Sequence, residues 1–336
     1  MDFPTALNDV KLSVDKELSG FFLTKRNEAK KIHPQTLSLV DAISDLTSRG
    51  GKRTRAFLVW LGYYSVIPVN KDDKLLYAMM AIELFQSFAL IHDDIIDEDA
   101  MRRGSPTVHE HFKSKVKSHL PASALPEAAA SLQAGTHQAL QAGKSKVKSV
   151  HFGESMAILA GDLALVWADE LMSICHSGLR AGIQSYSRWI PGQARDDRNG
   201  MLLDVLNIYQ QMKQEVILGQ SLDVRAAAGL PSADRATINR YKTAWYSVVR
   251  PLQIGASVAG ADKTIIESFV PYGLAVGEGY QLRDDFLDGD VSDDAFRVQS
   301  MNIQDQVIQS IKNIHASQVV MAVFEDFARF ALERTV

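Results

Sequence analysis

Two aspartate-rich clusters have the residue types and spacing for metal and phosphate chemistry. The first is His92-Asp93-Asp94-Ile95-Ile96-Asp97, followed by Arg102-Arg103-Gly104. The second is Gln281-Leu282-Arg283-Asp284-Asp285-Phe286-Leu287-Asp288. Both read D-D-x-x-D. On a helix, residues three or four apart share a face. Asp93 and Asp97 therefore point the same way, with Asp94 close by, and Asp284, Asp285 and Asp288 repeat the arrangement. Stacked carboxylates repel unless a cation lies between them. Mg²⁺ binds through a few carboxylates plus substrate phosphates, so two such walls predict a diphosphate held between them by metal ions. A solvated acidic helix end would produce the same letters for either cluster alone. The flank Glu83-Leu84-Phe85-Gln86-Ser87-Phe88-Ala89-Leu90-Ile91 argues otherwise, because it is too apolar for a surface helix. It delivers charge to the end of a buried segment, where charge usually has a partner.

Cations lie where a second phosphate would need them. Gly50-Gly51-Lys52-Arg53-Thr54-Arg55 joins permissive backbone to three positive side chains. Glycine allows close approach, and arginine meets phosphate oxygens as a bidentate fork. Taken alone, the run is common in loops. Arg102 and Arg103 follow the first acidic cluster, where they can hold phosphate without displacing metal. Lys242 and Thr243 add a donor pair, although a lone lysine there reads equally as a solvated surface group.

The elements that must position these groups are helices. Residues 74–91, 152–174, 202–219 and 233–260 carry apolar side chains at three- and four-residue spacing. Alternating strand-like stretches are scarce. Proline and glycine fall between the helical segments, as at Pro68, Pro121, Pro191-Gly192 and Gly229-Leu230-Pro231.

The ordered set of motifs resembles the trans-isoprenyl diphosphate synthases, the head-to-tail prenyltransferases. It comprises Gly50-Gly51-Lys52-Arg53-x-Arg55, Asp93-Asp94-x-x-Asp97 with Arg102-Arg103-Gly104, Gly219-Gln220-x-x-Asp223, Tyr241-Lys242-Thr243, and Gln281-x-x-Asp284-Asp285-x-x-Asp288. The likeness runs from about 37 to 288, with two interruptions. It implies an all-α, single-domain helical bundle around a deep central cavity, the isoprenoid synthase type, assembled as a homodimer. It implies that Asp93, Asp94, Asp97, Asp284, Asp285 and Asp288 form the Mg²⁺ face, for a cluster of about three ions. Arg102 and Lys242 match groups on the allylic diphosphate. Lys52, Arg55, Gln86 and Arg103 match the isopentenyl diphosphate site. Gln220, Asp223, Thr243 and Gln281 match polar residues at the reacting end.

Composition agrees. In 336 residues, 46% are hydrophobic and 23% charged, as in a soluble globular protein. A net charge of −4 gives no support for nucleic-acid binding. The single cysteine, Cys175, excludes an internal disulfide and suggests a reducing, cytoplasmic setting. It reads best as a small buried hydrophobe. The opening Met1-Asp2-Phe3-Pro4 does not read as a signal peptide. No apolar run reads as the ~20 residues that span a bilayer.

Two inserts, at about 119–149 and 177–200, interrupt the pattern. Lys113-Ser114-Lys115-Val116-Lys117-Ser118 recurs letter for letter as Lys144-Ser145-Lys146-Val147-Lys148-Ser149, at an offset of 31 residues. We read an in-frame insertion with a duplicated flank. A basic repeat binding an anionic surface is the alternative. Both inserts are expected outside the core, as loops or loosely held helices. After Asp288 the resembling family carries a lysine- and glycine-rich closing loop. Here Gly289-Asp290-Val291-Ser292-Asp293-Asp294 follows, and the next lysine is Lys312. Part of the C-terminus after 288 therefore reads as shortened, with activity impaired to match.

The implied chemistry is electrophilic coupling. Diphosphate departs from the allylic substrate, the isopentenyl double bond attacks the cation, and a proton leaves. The growing tail passes Ala89 and Phe88, which lie four and five residues before Asp93 on the same helix face. A small Ala89 above a bulky Phe88 suggests a C20 product, with C15 next. A non-catalytic partner subunit is the alternative function. A class I terpene cyclase fits less well, because it has no need of Gly50 to Arg55 for a second diphosphate.

Overall fold

The computed structural model describes residues 2–68, 72–119, 137–177, 199–314 and 316–333. Twelve α-helices follow one another among them. They are α1 (Phe3–Ile32), α2 (Leu37–Ser48), α3 (Thr54–Val66), α4 (Asp73–Ile96), α5 (Val108–His119), α6 (His137–Ser177), α7 (Asn199–Ala227), α8 (Arg235–Asn239), α9 (Arg250–Val258), α10 (Lys263–Leu287), α11 (Asp293–Ile311) and α12 (Gln318–Glu333). The only described strands are β1 (Met101–Arg102) and β2 (Ser105–Pro106), a two-residue antiparallel hairpin. The all-α expectation is met.

The residues gather into two compact units. One comprises Met1–Lys16, Lys52–Ile82 and Asp169–Val336. The other comprises Glu17–Gly51 and Glu83–Ala168. The core of the first is aromatic. Phe57 stacks on Phe327 at 5.7 Å, and Phe3 meets both rings edge-on. Tyr272 lies edge-on to Phe324 at 4.9 Å and donates its hydroxyl to the Phe324 carbonyl at 2.8 Å. Each large ring buried this way contributes roughly 1.5–3 kcal/mol. In the second unit Trp167 meets Phe21 and Phe22 edge-on at 5.8 and 6.1 Å. In the same unit Ile43, Leu46, Leu84, Phe85 and Phe112 are fully buried.

The helix expected over 233–260 is instead three segments. Between α8 and α9 the chain winds as a π-helix, Arg240–Val249, and Arg250 N–H donates to the carbonyl of Trp245. Pro251 lacks an N–H and its ring crowds the carbonyl four residues before it, so it suits the first turn of α9 and not a helix interior. Wide turns of this kind recur at functional sites.

α4 is long and apolar enough to cross a membrane by length and composition, and 67% of that stretch is buried inside the protein. A core helix satisfies the same criterion, and α4 ends in carboxylates. Of the first expected insert, residues 120–136 lie outside the described residues. Residues 137–149 form the opening turns of α6, where Ser149 is buried. Residues 178–198 of the second insert lie outside the described residues as well.

Candidate functional site

In the Glu17–Gly51 and Glu83–Ala168 unit, the first acidic motif closes α4. Asp97 N–H donates to the Asp93 carbonyl at 2.8 Å, so the helical turn continues past Ile96 and aligns the two side chains. Asp93 is half-buried and Asp97 exposed. Asp94 is different, with 0% of its surface exposed. Its Oδ1 accepts from Arg102 Nε, and its Oδ2 is buried without a hydrogen-bond partner. Burial pushes its carboxyl up to about 6, although Arg102 pulls the other way.

A tight hairpin carries Arg102 and Arg103. Arg103 and Gly104, the two turn residues, both have positive φ, at 51° and 73°, as the turn favoured in two-residue hairpins requires. Arg102 also donates from Nη2 to Asp99 Oδ2 at 3.1 Å. Arg103 Nη1 donates to the Arg49 carbonyl at 2.7 Å, and Arg49 Nη1 to the Pro106 carbonyl at 2.9 Å. Gln86 and Ala89 are half-buried on α4. Phe88, 8% exposed, lies 5.3 Å from the Phe85 ring and 4.8 Å from His92.

The other unit holds the remaining candidates. Arg53, before α3, takes φ 57° and is buried, with Nε donating to Asp15 Oδ1 at 2.8 Å. Burial raises the Asp15 carboxyl, but hydrogen bonds from Lys11 and Arg53 outweigh it and hold the group below the usual carboxylate range. This latch fixes the start of α3, where Lys52 and Arg55 flank it. Lys52 Nζ sits 5.1 Å over the Phe330 ring. Arg55 stacks on Tyr246 at 4.5 Å and donates from Nη2 to Ser247 Oγ at 2.7 Å.

Lys242 lies on the π-helix and donates to Asp223 Oδ2 at 2.7 Å, while Arg235 reaches Asp223 Oδ1 at 3.1 Å. Gly219 makes this possible, since a Cβ there would stand 2.9 Å from Lys242 N. Thr243 is half-buried one residue on, and Gln220 is half-buried on α7 with its Nε2 buried and unpartnered. At the end of α10, Asp288 N–H donates to the Asp284 carbonyl at 2.9 Å, which repeats the geometry of Asp93 and Asp97. Asp284 is half-buried and Asp288 exposed. Gln281 donates from Nε2 to Asp285 Oδ1 at 2.6 Å. Arg283 packs over Phe286 and Phe296 at 5.3 and 5.4 Å, which ties α10 to α11. The connection between them turns at Gly289, φ 85°, and Ser292 caps α11.

The two acidic motifs belong to different units. Among the described residues no three His, Cys, Asp or Glu side chains converge on one ion position. Each motif by itself is nonetheless an all-oxygen turn of carboxylates. That suits Mg²⁺, which takes one or two carboxylates and fills its remaining positions with phosphate and water. Several supporting residues carried no signal in the sequence. Asp15, Arg49, Tyr246 and Ser247 meet their partners only through the fold. Asp99 lies three residues before Arg102 but outside any helix, so it too meets its partner only through the fold.

A family model described as "Polyprenyl synthetase" matches residues 37–305. A short chain isoprenyl diphosphate synthase of Methanocaldococcus jannaschii is 27% identical over 278 residues, covering 80% of this chain and 65% of that one. A farnesyl diphosphate synthase of Haemophilus influenzae is 26% identical over 293 residues, covering 85% and 76%. The chain thus spans less than two thirds of the length of the M. jannaschii relative. The crystal structure of a geranylgeranyl pyrophosphate synthase from Corynebacterium glutamicum, complexed with isoprenyl diphosphate and magnesium, superposes with a TM-score of 0.72. It covers 99% of this chain and 100% of that one at 23% identity, a likeness of fold.

Proposed function

We propose, from the premise that this chain belongs to the polyprenyl synthetase family, that it is a prenyltransferase. It condenses isopentenyl diphosphate with an allylic diphosphate to give a short-chain prenyl diphosphate, C20 favoured and C15 next. The observation that carries this reading is the aligned Asp93–Asp97 turn with Arg102 held directly beside it. On this reading one unit supplies both divalent-cation ligands and a phosphate fork.

Of the six aspartates expected on the metal face, Asp93, Asp97, Asp284, Asp285 and Asp288 would hold Mg²⁺, which when bound supplies neutralising charge for a leaving diphosphate, while Asp94 is buried against Arg102. Arg102 and Lys242 bind the allylic diphosphate. Lys52, Arg55, Gln86 and Arg103 bind isopentenyl diphosphate and orient its double bond. Thr243 and Gln281 line the reacting end. The product proton leaves with the released diphosphate, since no candidate side chain is set up as a base. Ala89 and Phe88 bound the path of the tail. A homodimer is supported by Phe152, Leu159 and Val166, apolar, exposed and seven residues apart along α6. A cytoplasmic setting is supported by Cys175 being the single cysteine of the sequence, buried and with no second cysteine to pair with.

One observation favours a second reading, a partner subunit with impaired catalysis. The segment after Asp288 brings Asp290, Asp293 and Asp294 where a diphosphate-facing loop would need cations. Incubation of the purified protein with Mg²⁺, labelled isopentenyl diphosphate and each allylic diphosphate decides between them. Prenyl diphosphate product supports the enzyme. Diphosphate binding without product supports the subunit.

A further inference from the structure

We infer that Asp15, on α1, is a positioning residue for the isopentenyl diphosphate site, where through Arg53 it fixes the turn that aims Lys52 and Arg55. The inference rests on the reading that Lys52 and Arg55 bind isopentenyl diphosphate. These residues lie in one compact unit. Arg53 is the residue at which the chain turns into α3. It takes φ 57° and ψ 34°, in the left-handed region. Glycine enters that region without cost, whereas a side chain there is strained and persists only where its surroundings hold it. Arg53 also lacks what a helix start needs. Residues that cap a helix N-terminus accept its free N–H groups, and a guanidinium carries donors only. The Arg53 side chain accordingly makes no capping hydrogen bond to α3. The local sequence does not select this turn, so a tertiary contact must.

That contact is Asp15. Arg53 Nε donates to Asp15 Oδ1 at 2.8 Å, and only 5% of the arginine side chain is exposed. Lys11 Nζ, one turn earlier on α1, donates to Asp15 Oδ2 at 2.5 Å. Both carboxylate oxygens are engaged, so Asp15 acts on the site through Arg53. Phe3, edge-on to Phe57 at 5.3 Å, seats α1 on α3 a second time. The torsions of Arg53 then set two directions. Lys52 lies on its N-terminal side. On the other side the Arg53 carbonyl accepts the N–H of Phe57 at 2.8 Å, which opens α3 and orients Arg55. Arg55 is itself fixed over Tyr246 and donates to Ser247. A rotation at Arg53 swings Lys52 relative to Arg55. For two groups that share one diphosphate, a misplacement of about 1 Å can cost ~100-fold.

The test assays coupling at saturating Mg²⁺ with isopentenyl diphosphate and geranyl diphosphate varied in turn, and measures isopentenyl diphosphate binding by calorimetry. The variants are Asp15→Ala, Asp15→Glu, Arg53→Gly and the double variant Asp15→Ala with Arg53→Gly. Asp15→Ala should raise KM and Kd for isopentenyl diphosphate about tenfold or more, with kcat and the geranyl diphosphate KM near wild type, the pattern of lost substrate binding. A loss of folded protein would instead lower the rate at every substrate concentration and move neither KM. Asp15→Glu keeps the carboxylate and should restore most of the affinity. Arg53→Gly accepts the left-handed turn without strain, which keeps the inference testable if Asp15→Ala unfolds. It should raise the same KM. The double variant should bind no more weakly than Arg53→Gly, because the two residues act as one. Wild-type isopentenyl diphosphate affinity in Asp15→Ala or in Arg53→Gly overturns the inference, and so does an equal rise in both KM values. Unfolding of both single variants also overturns it, since the pair would then serve the fold alone. Isopentenyl diphosphate binding without coupling in the wild type would overturn the enzyme reading and leave this one standing on the calorimetry. No isopentenyl diphosphate binding by the wild type would overturn both.

Discussion

Lys242 donates to Asp223 at 2.7 Å across two helical segments that approach closely only because residue 219 is glycine. A methyl at 219 would meet backbone, the amide of Lys242, which cannot swing aside as a side-chain tip can. Gly219→Ala should therefore destabilise the fold by about 1–3 kcal/mol, the usual range for overpacking. It should also lower coupling by displacing Lys242. Urea unfolding checks the first effect. A variant as stable as the wild type would mean that α7 moves away freely.

The two aligned carboxylate turns predict a loss confined to function. Asp93→Ala or Asp284→Ala should abolish coupling with little change in melting temperature, because each removes one charge from a repulsive cluster. Coupling assays at saturating Mg²⁺ provide the measurement. Near wild-type turnover in either variant would contradict the reading that both motifs hold metal.

Phe88 and Ala89 should set product length. Phe88→Ala opens the path one turn beyond the first acidic motif and should lengthen the product. Ala89→Phe should shorten it toward C15 or C10. Phe88 also packs on Phe85 and His92, so Phe88→Ala should cost about 3–5 kcal/mol of stability. Chromatography of the dephosphorylated products reads the lengths. An unchanged distribution in both variants would transfer the role to another residue, with Phe85 next.

The repeated flank predicts a tolerated deletion. Removing residues 113–143 joins Phe112 to Lys144, and the second copy then supplies the same six letters after α5 begins. The melting temperature should hold or rise, since ordering a segment with few large apolar residues costs entropy and gains little burial. A large drop would show that the segment is part of the core.

Two histidines predict an acid limb. Burial lowers the pKa of His109 and of His111 below the ordinary 6.5. The unfolded chain then takes up protons before the folded one does. Stability is therefore full above about pH 6.5 and declines as pH falls toward the lower folded values. His109→Gln should flatten part of that decline in urea midpoints measured between pH 7 and pH 5. An unchanged slope would mean that His109 contributes nothing to it.

The family and the all-helical class were legible in the sequence because both depend on local spacing. Apolar residues at three and four define α4, α6 and α7. The motif order from Gly50 to Asp288 needs no coordinates. Even the alignment of Asp93 with Asp97, and of Asp284 with Asp288, follows from 3.6 residues per turn. The tertiary structure decided what periodicity cannot encode. It turned Asp94 inward onto Arg102, because that carboxylate is the one of the three rotated toward the protein interior. It joined Arg53 to Asp15 and Arg55 to Ser247, partners 38 and 192 residues apart. It also wound 240–249 as a π-helix ahead of Pro251, where the apolar pattern reads as an unbroken α-helix. Helical faces are set by near neighbours in the chain. The partner of a buried charge is set by whichever distant segment packs over it, and only the folded chain selects that segment.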